Sequence, residues 1–272
     1  MSIEEGMLLH LNDFPHSMSV SSEVGQINLL SRPAPSEKRV NEDACGVRYI
    51  QDTLVLVVAD GLGGHKNGHL ASEIVVKNLL SNWQKNEDVT MESMMTKVEE
   101  SHKLIKDLKA GSGSTVVVAL VYKNTVRFLS VGDSRGFLIS GHRNFKYKTL
   151  EQSPTGLAVE SGFLEAGEAL EHEDSHLVLS ALGHDPLRME VTGPIELSDR
   201  DFVLLASDGL TSNLIPEDFA EHLSIQENLS PLDEIAEKVE KKMLSGGSVD
   251  DLSMVLFMNG KTHGDSSRTE GL

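Results

Sequence analysis

The pattern of apolar and polar residues in the first half of the chain predicts strands, then helices, then strands again. An unbroken apolar run over residues 53–59 ends in an Asp-Gly pair, which is typical of a buried strand that stops at a turn. Apolar residues at helical spacing predict two helices, over about 67–83 and 91–108. Further strands follow with short turns between them, over 115–122, 126–131 and 137–140.

The second half of the chain contains both helix-like and strand-like patterns of apolar residues. Residues 143–175 are acidic and irregular, with one short helix predicted around 157–161. Helices are predicted over 216–222 and 231–244, each with a proline in its first turn. Strands are predicted over 177–180, 190–195, 202–206 and 252–258. This order of elements favours one α+β domain in which helices flank mostly antiparallel sheet.

The two ends of the chain are interpreted separately from this domain. Residues 1–22 mix serine, histidine, proline and acids, and we interpret them as an N-terminal arm or a peripheral strand. The domain itself is predicted over residues 23–259. Residues 260–272 are a polar C-terminal tail with no packing signal.

Composition and charge narrow the classes of function. Hydrophobic residues make up 39% of the 272 residues and charged residues 24%, as is ordinary for a soluble globular protein. The formal net charge of -18 argues against nucleic acid or an anionic membrane as a partner, because both attract basic surfaces. The same excess of acids suits a protein that uses several carboxylates to bind cations.

The single cysteine and the first residues predict a cytoplasmic location. Cys45 is the only cysteine, which excludes an internal disulfide and a cysteine-based zinc site. The chain begins with acidic residues and without the apolar run of a secretory signal. No stretch approaches the ~18 consecutive apolar residues of a membrane span.

Candidate chemistry lies in aspartates at the ends of apolar strands. Asp60, Asp133 and Asp208 each come after such a strand, and Asp250 comes before one. Carboxylates at strand ends are held on a rigid scaffold and can meet in a cleft. Hard cations such as Mg²⁺ and Mn²⁺ prefer oxygen ligands and need few protein carboxylates. Each aspartate alone also fits an ordinary turn, so the residues by themselves predict a carboxylate metal site and no particular reaction.

Six short motifs, in the same order, resemble those of the metal-dependent protein phosphatases, the type 2C family of Ser/Thr phosphatases, in its bacterial form. The resemblance covers about residues 24–258. Any single motif is weak evidence, whereas six in the family's order are specific. The motifs are Asn41-Glu42-Asp43-Ala44, Asp60-Gly61-Leu62-Gly63-Gly64-His65, Gly113-Ser114-Thr115, Gly132-Asp133-Ser134-Arg135, Ser207-Asp208-Gly209-Leu210 and Asp250-Asp251-Leu252-Ser253.

The resemblance implies a fold and a first set of catalytic residues. The fold is a four-layer α-β-β-α sandwich, an α+β structure in which two stacked antiparallel sheets are flanked by helix pairs. Two Mg²⁺ or Mn²⁺ ions would be bound. Carried over by motif, Asp60 would bridge the two ions, and Asp208 and Asp250 would bind the first of them.

The resemblance also implies ligands for the remaining ions. Asp43 and the Gly61 carbonyl would bind the second ion, with Glu42 as a further candidate. Asp133 resembles the residue that helps to hold a third, weaker ion in bacterial members of the family.

The function implied is that of a protein serine/threonine phosphatase, a phosphoric monoester hydrolase. In this mechanism two ions lower the pKa of a bridging water, and the resulting hydroxide attacks phosphorus in line. The partner would be a phosphorylated protein, the target of a Ser/Thr kinase, with no nucleic acid or membrane involved. The alternative is a catalytically silent type 2C-like module that binds a phosphoprotein or a regulatory partner. The complete set of acids favours the enzyme.

The sequence departs from the family pattern on the substrate side. Where the family has an arginine before the first motif this chain has Lys38, followed by Arg39, and either could bind the substrate phosphate. Residues 151–153 read Glu-Gln-Ser in place of Asp-His-Ser, and Ser180 replaces an arginine. We therefore expect altered substrate choice with the metal ligands intact. Asp251 replaces an asparagine, and either strengthens cation binding or is exposed.

Overall fold

Strands and helices follow one another in nearly the order that the apolar pattern predicts. The computed structural model describes residues 7–10, 16–21, 25–35, 40–63, 67–84, 88–109, 111–223 and 230–260. In chain order the strands are β1 Met7–His10, β2 His16–Ser21, β3 Gly25–Arg32, β4 Asp43–Ile50, β5 Thr53–Leu62, β6 Gly113–Ser114, β7 Val116–Tyr122, β8 Thr125–Val131, β9 Arg135–Ile139, β10 Phe145–Lys148, β11 Glu190–Val191, β12 Ile195–Glu196, β13 Phe202–Ala206 and β14 Leu252–Asn259. The helices are α1 Gly68–Leu80, α2 Met91–Asp107, α3 Pro154–Glu160, α4 Ala166–Leu170, α5 Asp208–Thr211, α6 Pro216–Ala220 and α7 Pro231–Leu244.

The strands form two antiparallel sheets. In the first sheet the strand order is β1-β4-β5-β7-β8-β11, with β6 paired to β5 and β12 paired to β8. In the second sheet the order is β10-β9-β13-β14-β3-β2. The first sheet is built mainly from chain neighbours, whereas the second brings the two ends of the domain together, because β14 lies between β13 and β3.

Three apolar clusters divide the domain into four layers. Between the sheets, side chains such as Leu29 and Phe257 of the second sheet meet Val58 and Phe128 of the first. The outer face of the first sheet packs against α1 and α2, and the outer face of the second against α5, α6 and α7. Strands that are covered on both faces must be apolar at nearly every position, which explains the unbroken apolar runs in β5 and β13. The predicted α-β-β-α sandwich is confirmed.

The long helices form because an apolar stripe and a local cap agree. In α2 the Thr90 hydroxyl accepts a hydrogen bond from the Ser93 amide at 3.2 Å, and the Ser93 hydroxyl accepts one from the Thr90 amide at 2.9 Å. In α7 a proline occupies the first turn, where its missing N–H costs no intrahelical hydrogen bond. No helix in the described ranges is both long enough and apolar enough to cross a membrane.

Differences from the sequence-based elements occur where the chain approaches the acids. The strand predicted over 53–59 continues through the Asp-Gly pair to Leu62, because Gly61 and Leu62 pair with β6. The strand predicted over 177–180 does not form, and these residues are a loop. The acidic stretch over 143–175 contains β10, α3 and α4. The strand predicted over 190–195 is replaced by two short strands, β11 and β12, with a break between them. The other predicted helices and strands are present, with ends that differ by a few residues.

Candidate active site

Five aspartates from distant parts of the sequence form one cluster at an edge of the two sheets. Asp43 begins β4 directly opposite Asp60 in β5, and Asp208 follows β13 just as Asp250 precedes the neighbouring β14. Asp133 follows β8. Burial raises the pKa of each of the other four, and the charge of Asp250 adds to each rise. Such mutual repulsion among buried carboxylates is a sign of a site built to bind positive charge.

Asp60 lies at the centre of the cluster, and its backbone is held on both sides. Its amide donates to the Thr115 hydroxyl at 3.1 Å, and its carbonyl accepts from the Thr115 amide at 2.8 Å. The Thr115 hydroxyl is in turn hydrogen-bonded to the Ser134 hydroxyl at 2.7 Å. Burial raises the pKa of Asp60 well above its ordinary value, and the charges of Asp43 and Asp250 add to the rise.

Asp43 is oriented by a serine from the second sheet. The Ser207 hydroxyl donates to Asp43 Oδ2 at 2.7 Å and accepts a hydrogen bond from the Ser253 amide at 2.9 Å. Burial and the charge of Asp251 raise the pKa of Asp43, whereas the hydrogen bond from Ser207 acts in the opposite direction. This hydrogen bond runs from the residue after β13 to the first residue of β4, and it therefore joins the two sheets at the cluster.

Asp133 and Asp208 each carry a buried carboxylate oxygen, Oδ1, that lacks a hydrogen-bond partner among the described residues. Burial, followed by the charge of Glu151, raises the pKa of Asp133 to about 7. Burial raises the pKa of Asp208 well above its ordinary value, followed by the charge of Asp60. Buried oxygens without partners are costly unless a ligand or an ion pairs with them.

Two glycines create room for oxygen atoms beside the cluster. A Cβ on Gly68, at the start of α1, would lie 2.3 Å from Glu42 Oε1 and 2.8 Å from the Gly61 carbonyl oxygen. A Cβ on Gly61 would lie 2.2 Å from the Gly68 carbonyl oxygen. The Gly61 amide also donates to the Glu42 carbonyl at 3.1 Å. The absence of both side chains therefore lets the Glu42 carboxylate and the Gly61 carbonyl lie close together.

Asp251 is buried, so the expectation from the sequence that it could be exposed is wrong. Its side chain is only 2% exposed. Its Oδ1 accepts a hydrogen bond from the Ala34 amide and its Oδ2 one from the Glu42 amide, each at 2.7 Å. Asp251 therefore ties the start of β14 to the loop between β3 and β4, which carries Glu42 and leads to Asp43. No local pattern indicates this pairing, because the partners lie more than 200 residues away along the chain.

The residues that depart from the family pattern have local structural partners. The Gln152 carbonyl Oε1 accepts from the Gly132 amide at 3.0 Å and so supports the turn before Asp133. The Ser153 hydroxyl donates to Glu151 Oε1 at 2.5 Å and caps α3. The Ser180 hydroxyl accepts from the Arg188 amide at 3.0 Å.

Several of the residues discussed from sequence lie outside the described ranges. Lys38 and Arg39, the two candidates for binding phosphate, are among them, as is His65. Thr115, Ser134, Ser207 and Asp251 are contacts of the cluster that the sequence-based list of site residues omitted. Ser134 and Ser207 are each next to an aspartate in their motifs, and that adjacency was the available signal, whereas the motif that contains Thr115 has no acid.

The cluster offers only oxygen donors, which suits Mg²⁺ or Mn²⁺. The partnerless oxygens of Asp133 and Asp208 fit such an ion as well. Within the described part of the chain, however, no three Asp, Glu, His or Cys side chains already stand in a metal-binding arrangement.

Comparison with known proteins identifies a family and relatives that this chain resembles. Residues 34–245 match the family model described as protein phosphatase 2C. A serine/threonine phosphatase named stp from Listeria welshimeri is 33% identical over 230 residues, which cover 79% of this chain and 89% of the relative.

Solved structures of similar fold agree with the sequence relatives. A serine/threonine phosphatase from S. agalactiae superposes with a TM-score of 0.72 at 25% identity, covering 86% of this chain and 99% of its own. The catalytic domain of the serine/threonine protein phosphatase PstP, solved in complex with two manganese ions, superposes with a TM-score of 0.67 at 23% identity, covering 87% and 99%. At that identity the second structure supports the fold alone.

Proposed function

The chain belongs to the protein phosphatase 2C family as a bacterial-type serine/threonine phosphatase, and on that premise we propose that it uses two divalent cations, held by the cluster around Asp60, to hydrolyse phosphoserine and phosphothreonine. The observation that carries the proposal is the cluster itself. Asp43 and Asp60 are buried, Asp208 is half-buried beside them, and burial together with the charges of neighbouring acids raises the pKa of all three. Cations would offset this repulsion.

Each acid has a proposed place in the metal site. Asp60 would help to hold both ions, which fits its central position. Asp208 and Asp250 would hold the first ion, and Asp43 and the Gly61 carbonyl would hold the second, with Glu42 beside them. Asp133 would help to hold a third, weaker ion. The ions are Mg²⁺ or Mn²⁺, since both prefer oxygen ligands and tolerate bound water.

The chemistry is metal-assisted hydrolysis. When bound, two such ions supply a hydroxide at neutral pH and offset the charge on the phosphoryl oxygens. The protein's own contribution is to hold the acids in fixed positions. Thr115 and Ser134 fix Asp60, and Ser207 orients Asp43. Lys38 or Arg39 binds the substrate phosphate, as their position before the first motif suggests.

The substrate is a phosphoprotein, and we propose that it is the target of a Ser/Thr kinase in the same cytoplasm. The lone buried Cys45 agrees with a reducing compartment. Names of the relatives support the substrate class, since the L. welshimeri protein is called a serine/threonine phosphatase.

The test is release of phosphate from phosphoserine and phosphothreonine peptides after chelation and then titration with Mn²⁺ or Mg²⁺. We expect turnover that depends on the metal and falls by ~100-fold or more in Asp208→Asn, because a lost metal ligand weakens binding at least as much as a lost outer-shell contact. Asp199→Asn is the control, since that side chain is 78% exposed and lies before β13, at the opposite end of that strand from Asp208. Peptide binding without turnover at any metal concentration would support the silent module instead.

A further inference from the structure

A cavity lies beside the acid cluster and has no role in the chemistry proposed above. Its volume is about 70 Å³, and it lies between α3 and α4 on one side and α5 and the loop after it on the other. Asp133 and Asp208 form part of its lining, so it opens next to the place where a phosphoryl group would be bound. At ~10–15 Å³ for each water, it has room for about five non-hydrogen atoms.

Much of the cavity wall is apolar. Leu150 precedes α3, Val159 lies on α3, Ala169 and Leu170 lie on α4, and Ile215 follows α5. This wall suits a hydrocarbon chain, because burying aliphatic carbon against it removes apolar surface from water. A lysine side chain has five non-hydrogen atoms, four of them carbon.

The charged part of the lining is acidic. Glu151 and Glu160 accompany Asp133 and Asp208, and Arg135 is the one base in the lining. Arg135 is already engaged, since Nε and Nη2 donate to the Thr149 carbonyl at 3.3 and 3.0 Å and Nη1 donates to Glu151 Oε2 at 3.5 Å. Its positive charge is therefore already paired within the protein.

Glu160 is the acid that is left for a ligand. It lies at the last position of α3 and is exposed to solvent. Among the described residues it makes no ion pair, in contrast to Glu151. A cationic group at the rim of the cavity would meet this carboxylate, and aliphatic stems that carry such groups commonly lie on apolar walls.

We propose that this cavity binds a lysine or arginine side chain of the phosphoprotein substrate, close in sequence to the phosphorylated residue. The aliphatic stem lies against the wall formed by Val159, Ala169 and Ile215, and the cationic end pairs with Glu160. The inference rests on the proposed phosphatase function and adds a substrate class to it: phosphorylated segments with a neighbouring basic residue.

The experiment compares kcat/KM for phosphothreonine peptides in which one lysine is moved through the three positions on each side of the phosphoresidue. Each peptide has a matched partner with norleucine or glutamate at the same position. We expect one or two positions at which lysine exceeds norleucine by about two- to fivefold, the range of an exposed ion pair, and at which glutamate is the poorest. Norleucine equal to lysine at every position, or glutamate better than lysine, would overturn the proposal.

Variants of the protein test whether the preference for lysine over norleucine arises in the cavity. Glu160→Gln should remove most of the lysine-to-norleucine ratio, whereas Glu171→Gln, which neutralises an exposed acid outside the lining, should keep it. Ala169→Phe should fill the cavity and bring the ratio to about one, whereas Leu157→Phe adds a ring at an exposed position of α3 and should not. A ratio that survives both cavity variants would place the basic residue elsewhere and overturn the proposal.

A small aryl phosphate separates this inference from the function on which it rests. The wild-type protein should hydrolyse it with Mn²⁺, because it has no flanking residues. If neither the aryl phosphate nor any peptide is turned over, the proposed function fails and the inference fails with it. If all peptides are turned over at equal kcat/KM, only the inference fails.

Discussion

Replacing Asp133 by asparagine should stabilise the metal-free protein. The Asp133 side chain is 5% exposed, and its Oδ1 has no hydrogen-bond partner among the described residues. Hydrogen bonds from the backbone amides of Asp133 and Ser134 reach the carboxylate and lower its pKa, yet burial and the charge of Glu151 outweigh them. Asparagine keeps a carbonyl oxygen for those amides and places an NH₂ group among carboxylates.

The size of the effect follows from the pKa. A rise from the ordinary 3.8 to about 7 corresponds to about 4 kcal/mol of lost folding stability, at about 1.4 kcal/mol per pH unit. Because the pKa is raised in the folded state, this penalty is absent below about pH 4, grows as the pH increases and is complete above pH 7. Burying the amide costs about 1 to 3 kcal/mol. The net gain for Asp133→Asn should therefore be about 1 to 3 kcal/mol at pH 8.

The assay is urea unfolding of the wild type and the variant in chelator, from pH 5 to pH 8. The difference in unfolding free energy should increase with pH up to about 7 and then level off. Asp199→Asn, which removes a carboxylate that is 78% exposed, should show no comparable trend. An Asp133→Asn protein that is less stable than the wild type at pH 8, or a difference that does not vary with pH, would refute the reasoning.

Three further predictions concern the acid cluster and the residues in contact with it. Asp251→Ala removes two charge-assisted hydrogen bonds to buried amides and should lower the unfolding free energy by about 3 to 5 kcal/mol, with a smaller loss for Asp251→Asn, as measured by urea unfolding. Gly68→Ala places a methyl group against the Glu42 carboxylate and should weaken Mn²⁺ binding about tenfold or more by calorimetry, whereas Gly167→Ala on α4, which meets no neighbouring atom, should leave it unchanged. Mn²⁺ at 100 times its dissociation constant should stabilise the wild type by about 2.7 kcal/mol in thermal unfolding and should stabilise Asp208→Asn far less.

The layered fold could be predicted well from the sequence, because burial on both faces leaves a strong signal. The apolar runs in β5, β13 and β14 are long, and α7 has both an apolar stripe and a proline at its start. The strand predicted over 177–180 is wrong: Leu177 and Leu179 are exposed on a loop, and a short apolar segment does not by itself show that the residues are buried in a sheet. The continuation of β5 through Gly61 depends on its pairing with β6, which a single strand's pattern does not encode.

The site was predictable only in part. Four of the aspartates stood out because each lies at an end of a predicted apolar strand, and the resemblance of the six motifs added Asp43. Their convergence depends on strand order, since β14 lies between β3 and β13 only in the folded sheet. The contacts of Asp251 and Ser207 join segments more than 150 residues apart. Such long-range partners have no local pattern, and the roles of the acids as metal ligands remain predictions.

The most direct test of the metal site is Mn²⁺ titration of the wild type and of Asp60→Asn by calorimetry, with phosphopeptide turnover followed in the same samples. Two ions should bind to the wild type, and turnover should increase as the second site fills. In Asp60→Asn, loss of the bridging carboxylate should weaken both sites together and abolish turnover. Full turnover by Asp60→Asn, or turnover by the wild type in chelator without added metal, would contradict the proposal that cations held around Asp60 perform the hydrolysis.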